Sequence, residues 1–453
     1  MRVHFIAIGG SAMHNLAIAL AKKGFQVSGS DDVINEPSKS RLARFDILPA
    51  EFGWFPERIT AELDAIILGM HAREDNPELL RAQELGLPIY SYPEYIYEQS
   101  KEKTRVVIGG SHGKTTITSM ILHVLQHAGK DFDYLVGAQL EGFDTMVKIT
   151  NEAPIIVIEG DEYLASPIDR RPKFHLYKGH IGVISGIAWD HINVFPTWES
   201  YIKQFDLFID TLQLGGALIY CKADETLDKL VAAKNTSVEK LGYSVPTNQI
   251  NQGITSLQTD KGLVPLQIFG EHNLMNLSAA RLVCEKLGVS AEVFYEAIAT
   301  FKGAARRLEL VGKTDDCVIY KDFAHSPSKL EATIHAVKQQ FPERKLIAAI
   351  ELHTFSSLNA EFLKEYAGTM DEADQPIVII DQQTFKQKQM TPFDETIVKK
   401  SFNNEKLKFF DSFEIFEAYL NRNSFKNTNL LLMSSGNFGG LNFEELKNKI
   451  LNK

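Results

Sequence analysis

The sequence predicts an α/β protein built on parallel β-sheets. A glycine-rich loop joins an apolar strand to a helix near residue 110, the chain opens with a strand, a helix and a second strand, and strands alternate with helices in its last third. Alternation of this kind is typical of parallel sheets, whose strands are connected by helical crossovers. We expect three α/β blocks, with boundaries at 1–102, 103–303 and 304–453.

The first block opens with a predicted β-α-β unit. An apolar strand spans Val3 to Ile8, and the following helix places Met13, Leu16, Ala17 and Leu20 on one face. Gly24 marks the end of this helix, and a second strand runs from Phe25 to Ser28. This arrangement is typical of a Rossmann-like nucleotide-binding domain.

The turn in this opening unit leaves the identity of its nucleotide open. A dinucleotide fingerprint has glycine at three fixed positions, which here are Ala7, Gly9 and Ala12, and Asp31 follows the second strand at a distance suited to a ribose contact. The turn could therefore hold NAD, or another diphosphate nucleotide such as a UDP-sugar, through the same helix-terminus amides.

The second block begins with the strongest functional motif in the chain. The strand Val106 to Ile108 leads into a loop in which Gly109, Gly110 and Gly113 precede Lys114 and Thr115. Glycines allow backbone N–H groups to approach phosphate oxygens at a helix start, the lysine adds a positive charge, and the threonine hydroxyl can bind Mg²⁺. The loop is a shortened variant of the usual pattern and predicts an ATP-binding site.

Polar side chains follow two later strands of this block. Glu159 and Glu162 come after an apolar strand from Ile155 to Ile158, and Asp190 and His191 follow the strand Ile181 to Ile184. Parallel sheets bind ligands at the carboxyl ends of their strands. Carboxylate oxygens suit Mg²⁺, and a histidine could hold a second divalent ion. We expect a metal site beside the phosphate loop.

The third block contains a further series of alternating elements. The apolar patterns predict strands and helices in this order: strand Cys317 to Tyr320, helix Ser328 to Gln340, strand Leu346 to Ile350, helix Ala360 to Met370, strand Ile377 to Ile380 and strand Leu430 to Met433.

Composition narrows the class of partner. The net charge of −10 and the absence of a basic run argue against nucleic-acid binding. The three cysteines are far apart and flanked by apolar residues, so we expect buried thiols rather than disulfides or a zinc site. Without a signal segment or a long apolar stretch, we expect a cytoplasmic protein that does not contact membranes. We expect a monomer or a weak homodimer.

Longer motifs resemble those of the Mur ligases, the ATP-dependent enzymes that join amino acids or peptides to UDP-N-acetylmuramic acid. The resemblance covers nearly the whole chain and a three-domain architecture. It rests on the turn from Ile8 to Met13, the loop from Gly110 to Thr115, and three further segments: Gly270 to Asn276, Phe301 to Glu309 and Asp322 to Pro327.

The resemblance implies roles for individual residues. Lys114 would neutralise the β- and γ-phosphates, Thr115 and Glu159 would hold one Mg²⁺, with Glu162 as an alternate ligand, and His191 would hold a second ion. The implied ATP contacts are Gly110, Ser111, His112, Gly113, Lys114, Thr115, Thr116, Asn273, Asn276, Arg307, Asp322 and His325. The implied UDP-sugar contacts are Gly9, Gly10, Ser11, Ala12, Met13, Asp31 and His71. Lys114, His191 and Glu159 would be the catalytic residues.

The resemblance also implies a reaction. The lactyl carboxylate of UDP-N-acetylmuramate would attack ATP to give an acyl phosphate, which the amine of an acceptor would then displace. Glu162-Tyr163, the segment Asp169 to Phe174 with Tyr177, and the closing segment Met433 to Gly440 favour the branch that attaches the tripeptide L-Ala-γ-D-Glu-meso-diaminopimelate in murein recycling. The segment Glu351 to Ser356 is more similar to the branch that adds L-alanine, which is the alternative.

Two other classes of function stay open. A dehydrogenase would use the opening β-α-β unit to bind NAD, and a silent nucleotide-binding regulator would keep the fold without turnover. Affinity for NAD alone would favour the first, and tight binding of ATP and a UDP-sugar without product would favour the second.

Overall fold

The structure is a computed structural model that describes residues 1–140, 142–189, 194–304 and 307–451. The chain divides into two compact units, Met1–Val245 with Met275–Ile298, and Pro246–Leu274 with Ala299–Lys453. Both contain a mainly parallel sheet with helical crossovers, which confirms the predicted α/β class. Over the described ranges, every helix is too short or too polar to cross a lipid bilayer.

The first unit begins with a four-stranded parallel sheet in the order β2-β1-β3-β4. Its strands are β1 (Arg2–Ile6), β2 (Gln26–Ser30), β3 (Ala65–Leu68) and β4 (Ile89–Ser91). Its helices are α1 (Ser11–Lys22), α2 (Ser38–Arg44), α3 (Pro77–Glu84) and α4 (Tyr92–Ser100), with a 3-10 turn at Pro56–Arg58. The four apolar residues predicted to share one face of α1 are all buried, and Gly24 follows the helix with a φ of +90°.

The same unit contains a seven-stranded sheet in the order β11-β10-β9-β5-β8-β6-β7. Its strands are β5 (Thr104–Gly109), β6 (Asp133–Leu135), β7 (Val147–Lys148), β8 (Ile155–Glu159), β9 (Ile181–Ile184), β10 (Ala217–Cys221) and β11 (Glu239–Tyr243). Its helices are α5 (Lys114–His127), α6 (Lys173–Leu176), α7 (Trp198–Asp210) and α8 (Glu225–Ala233). Only β7 runs antiparallel to its neighbour. Because β5 lies between β8 and β9, the ends of these three strands meet where α5 begins.

A three-stranded antiparallel sheet, in the second unit, was not predicted. It consists of β12 (Asn248–Asn251), β13 (Ile254–Thr259) and β14 (Gly262–Pro265). These strands are short and largely polar, so they lack the apolar runs that mark buried parallel strands. Two helices follow along the chain, α9 (Glu271–Lys286) and α10 (Ala291–Ile298); from Met275 onward they belong to the first unit.

The second unit also contains a six-stranded sheet in the order β15-β16-β20-β17-β18-β19, in which only β15 is antiparallel. Its strands are β15 (Glu309–Lys313), β16 (Val318–Asp322), β17 (Lys345–Glu351), β18 (Gln375–Ile379), β19 (Lys408–Phe410) and β20 (Thr428–Met433). Its helices are α11 (Pro327–Gln340), α12 (Ala360–Leu363), α13 (Gln382–Lys388), α14 (Glu395–Phe402), α15 (Phe413–Arg422) and α16 (Phe443–Leu451). Apolar cores cover both faces: Ala348 and Ile350 belong to one, Ile347 and Ala349 to the other.

The predicted helix from Ala360 to Met370 is wrong in its second half. The α-helix stops at Leu363, a 3-10 turn covers Lys364–Tyr366, and Gly368 adopts a φ of +78°. The amide of Gly368 donates to the carbonyl of Phe402 at 3.0 Å, so a contact with a distant helix replaces the next helical hydrogen bond.

A buried ion pair lies at the start of the central sheet. Lys103, the residue before β5, is 2.8 Å from the carboxylate of Asp133, and both side chains are buried. The ammonium also donates to the carbonyls of Thr150 and Ala153, at 2.9 and 2.7 Å, while Asp133 accepts from the amide and hydroxyl of Thr150 at 2.9 Å each. The pair therefore fixes the start of β5.

Loss of this pair should destabilise the first unit. Asp133→Ala leaves the Lys103 ammonium buried without its counter-charge, and breaking such a pair costs about 3–5 kcal/mol. We expect a clearly lower melting temperature by calorimetry. The control Glu225→Ala removes one side of an exposed pair with Lys229, which contributes about 0–1 kcal/mol. Equal melting temperatures for the two variants would contradict a structural role for Lys103 and Asp133.

Candidate active site

The phosphate loop lies between β5 and α5 as its sequence predicts. Gly110 and Gly113 have φ values of +120° and +78°, in the region that favours glycine. A side chain at Gly110 would collide with Ser185, and one at Gly113 would collide with Asn276. Backbone conformation and close packing both require glycine here, and the loop opens at the N-terminus of a 14-residue helix, where anions bind.

Lys114 is held inside the loop. Its ammonium donates to the carbonyl of Gly110 at 2.6 Å and forms an ion pair with the carboxylate of Glu162 at 2.8 Å. Burial acts against the charged form, but the neighbouring Glu162 outweighs it, and the pKa of Lys114 is raised above its usual value. The lysine is therefore charged and placed before any phosphate arrives.

A tyrosine that no sequence motif indicates completes this network. Tyr201, on α7, donates its hydroxyl to Glu162 at 3.3 Å, and its oxygen is 2.9 Å from the hydroxyl of Ser111. Ser111 in turn accepts from the amide of Ala188 at 2.9 Å. In the sequence, Tyr201 has the spacing of a buried helix face with Phe205 and Phe208, and nothing local separates it from core residues.

Thr115 and Glu159 meet across the strand ends. The hydroxyl of Thr115 donates to one carboxylate oxygen of Glu159 at 2.8 Å, and the amide of Gly137 donates to the other at 2.8 Å. Burial raises the pKa of Glu159. A carboxylate and a hydroxyl are the oxygen donors that Mg²⁺ prefers, so these residues fit the predicted ion. In the described part of the chain, no three His, Cys, Asp or Glu side chains form a metal-binding group.

Other predicted residues occupy defined places beside the loop. The carbonyl of His112 accepts from the hydroxyl of Ser185, and Thr116 is buried in the first turn of α5. The carboxylate of Glu162, the predicted alternate metal ligand, accepts hydrogen bonds from Lys114 and Tyr201. Asp190 and His191, the predicted ligands after β9, lie outside the described residues.

The predicted UDP-sugar loop surrounds the start of α1. Gly10 is the residue before the helix, Ser11 and Ala12 are exposed in its first turn, and Met13 is buried. The amide of Gly9 donates to the carboxylate of Asp31 at 2.7 Å, and burial raises the pKa of that carboxyl. The exposed side chain of His71 follows the end of β3.

The remaining predicted ATP contacts lie in the second unit, apart from Asn276. Asp322, at the end of β16, accepts from the amides of Leu308 and Ala324 at 2.6 and 2.7 Å. The guanidinium of Arg307 lies 5.0 Å from the ring centre of Phe323, and His325 has its Nδ1 2.8 Å from the Phe323 carbonyl. Asn273 donates to the carbonyl of Phe269 at 2.9 Å.

Three family models match successive parts of the chain. Residues 2–104 match the model described as "Mur ligase family, catalytic domain", residues 108–284 match "Mur ligase middle domain", and residues 306–436 match "Mur ligase, glutamate ligase domain".

Relatives match over most of the chain. The UDP-N-acetylmuramate–L-alanine ligase of Clostridium kluyveri is 30% identical over 432 residues, which are 91% of each protein. The enzyme of the same name from Caldicellulosiruptor bescii is 32% identical over 387 residues, 83% of this chain and 82% of the relative.

Solved structures show the same fold. The UDP-N-acetylmuramate-alanine ligase MurC of Thermotoga maritima aligns with a TM-score of 0.68 at 20% identity, over all of this chain and 98% of the other. The murein peptide ligase Mpl of Psychrobacter arcticus aligns with a TM-score of 0.61 at 21% identity, over the same shares.

The preference for a tripeptide acceptor was wrong. The relatives matched at about 30% identity over most of the chain are L-alanine ligases, which overturns it in favour of the alternative. The misleading motifs serve local turns. Asp169 accepts from the amide and side chain of Arg171, and Gly439 and Gly440 in the closing segment have φ values of +65° and +86°.

The family assignment also removes the dehydrogenase interpretation. With a relative 30% identical over nine-tenths of its length and all three domains matched, the chain belongs to the Mur ligase family of ATP-dependent ligases, which form C–N amide bonds.

Proposed function

We propose that this chain is a UDP-N-acetylmuramate:L-alanine ligase. The relatives that match over most of its length carry this name, and the phosphate loop holds a charged lysine beside a buried carboxylate and a threonine hydroxyl. This pairing of a phosphate cradle with an oxygen-donor pair carries the proposal, because activation of a carboxylate by ATP needs both.

The reaction proceeds in two balanced steps. A lactyl carboxylate oxygen of UDP-N-acetylmuramate attacks the γ-phosphorus of ATP, the bond to the β,γ-bridging oxygen breaks, and ADP leaves. The neutral amine of L-alanine then attacks the acyl carbon. The tetrahedral intermediate releases inorganic phosphate, and the amine loses its proton as the amide forms. The phosphate thus supplies the leaving group that a free carboxylate lacks.

The chain contributes charge and position to the first step. The ammonium of Lys114 would contact the phosphates. An arriving phosphate must first displace the Glu162 carboxylate from this ammonium. Thr115 and Glu159 would hold Mg²⁺, which when bound neutralises phosphate charge. His191 remains the predicted ligand of a second ion. Catalysis of phosphoryl transfer is chiefly positioning and electrostatic stabilisation.

We assign one substrate to each predicted domain. The UDP-sugar would bind in 1–102 through the amides at the start of α1, and ATP in 103–303 at the loop before α5. The domain 304–453 would bind the acceptor. In this domain Asp322 would contact the ribose of ATP, and Arg307 or His325 would contact its phosphates. Asn273 and Asn276 are proposed to face adenine.

A competition assay tests the acceptor. We expect the purified chain, given UDP-N-acetylmuramate, Mg²⁺ and ATP, to release phosphate and form the L-alanyl product by mass spectrometry when L-alanine and the tripeptide are offered together. Exclusive formation of the tripeptide product would refute the proposed acceptor. Absence of any product from folded protein would refute the ligase proposal itself.

Lys114→Met should reduce kcat/KM by about 100-fold. The substitution removes charge-assisted contacts to phosphate that are together worth about 3 kcal/mol, and each 1.4 kcal/mol is a factor of ten. The measurement is steady-state phosphate release. Lys148→Met, which removes a half-exposed lysine paired with Asp131 in the same domain, is the control and should stay within about twofold of wild type, as expected for a surface ion pair. Equal losses in both variants would contradict the assignment.

Glu159→Gln should raise the Mg²⁺ concentration needed for half-maximal activity by about tenfold or more, because a neutral amide is a poorer ligand for a hard cation. In the pH–activity profile of the wild type, the loss of activity on acidification should also occur at a pH above the ordinary pKa of glutamate. Burial raises the pKa of Glu159, so protonation begins at a higher pH as acid is added, and the metal-binding form is lost there. Glu152→Gln, an exposed position, is the control. An unchanged Mg²⁺ requirement would exclude Glu159 as a ligand.

A further inference from the structure

Asn15 is a buried polar residue outside the predicted sites. It lies on α1, one turn after the predicted UDP-sugar contacts, and its side chain has no exposed surface. Its amide nitrogen donates to the carbonyl of Ser11 at 2.8 Å and lies 3.0 Å from Nε2 of His14. Its oxygen accepts from the amide of Met146 at 3.1 Å, 131 residues further along the chain.

Met146 connects this residue to the predicted metal site. Its carbonyl accepts from the amide of Val136 at 2.9 Å. The next amide, that of Gly137, donates to Glu159 at 2.8 Å, and Glu159 accepts from Thr115. A side chain at Gly137 would come within 2.6 Å of a Glu159 carboxylate oxygen, so the backbone fits closely against this carboxylate.

A second contact joins the same two segments. The hydroxyl of Ser11, in the first turn of α1, lies 3.9 Å from the sulfur of Met146. All of these residues belong to the first compact unit. The loop that would hold the sugar nucleotide is thus connected to the carboxylate that would hold Mg²⁺ by a series of hydrogen bonds from the Asn15 side chain through the backbone at Met146, Val136 and Gly137.

We propose that Asn15 is a positioning residue that sets the distance between the UDP-sugar loop and Glu159 through Met146 and Gly137. It touches neither substrate in this role. The inference rests on the proposed function, because it assumes that UDP-N-acetylmuramate and the phosphates of ATP meet in this unit.

The physical reason is that the first chemical step tolerates only a small error in the positions of its reacting groups. The lactyl carboxylate must reach the γ-phosphorus from a nucleotide anchored by another domain, and a misplacement of about 1 Å can cost 100-fold in rate. A buried amide that satisfies backbone groups on both segments fixes their separation better than side chains in solvent, because a buried unpaired N–H is costly.

Hydrogen exchange tests the connection without relying on activity. In Asn15→Ala, the amide of Met146 loses its acceptor, and we expect faster exchange both there and at Gly137, by about tenfold or more. Ser38→Ala is the matched control. It removes another buried hydrogen bond to His14, with a distance of 3.0 Å, and leaves Met146 bonded. Faster exchange at Met146 alone would overturn the proposal, because Asn15 would then only satisfy a local amide.

Kinetics tests the consequence. We expect Asn15→Ala to lower kcat at least tenfold while the KM values for ATP and UDP-N-acetylmuramate change less than threefold, and Ser38→Ala to match wild type. Higher KM values with an unchanged kcat would overturn the proposal. So would an unchanged kcat with unchanged KM values.

Asn15→Asp covers the case in which the alanine variant does not fold. Its carboxylate keeps an acceptor for Met146 but cannot donate to the carbonyl of Ser11, so exchange at Gly137 and kcat should both lie closer to wild type than in Asn15→Ala without reaching it. A tenfold loss of kcat in a folded Asn15→Asp would overturn the proposal. If the wild type makes no product, the proposed function fails, while the exchange measurement still decides the role of Asn15.

Discussion

The site depends on a charged, mostly buried lysine whose ammonium is held in place before its ligand binds. An ammonium removed from water is stable only if nearby groups replace its hydration. Glu162 and the carbonyl of Gly110 do this for Lys114. Tyr201 and Ser111 then hold Glu162 and the loop in place. A phosphate therefore meets a preformed cation, and the carboxylate that it displaces keeps a hydroxyl partner.

The sheet topology brings together residues that are far apart in sequence. Thr115 follows β5, Gly137 follows β6 and Glu159 ends β8, and these strands are parallel and adjacent or one strand apart. Their carboxyl ends necessarily share one edge of the sheet. This is why a loop, a carboxylate and an unremarkable glycine amide converge on one point, as in other parallel sheets that bind ligands at this edge.

The same topology explains how much could be predicted. The glycine loop, Lys114 and Glu159 can be predicted from the local sequence, because each comes at the end of an apolar strand. Their positions relative to one another follow from the parallel pairing of these strands. Tyr201 and Gly137 act through contacts that arise from tertiary packing. The sequence around them does not distinguish them from ordinary core and loop residues. The polar strands β12 to β14 lack the buried pattern on which strand prediction depends.

The acceptor was harder to predict because the segments that seemed diagnostic are constrained by backbone geometry. Glu351 shows how this arises: its carboxylate accepts from the amide of Phe438 at 2.8 Å and from the hydroxyl of Ser434. One strand end thus holds the turn after another, and the closing motif must fit that turn whichever amine is used. A segment that serves the conformation of a turn indicates the fold, whereas the choice of acceptor depends on side chains brought together in space.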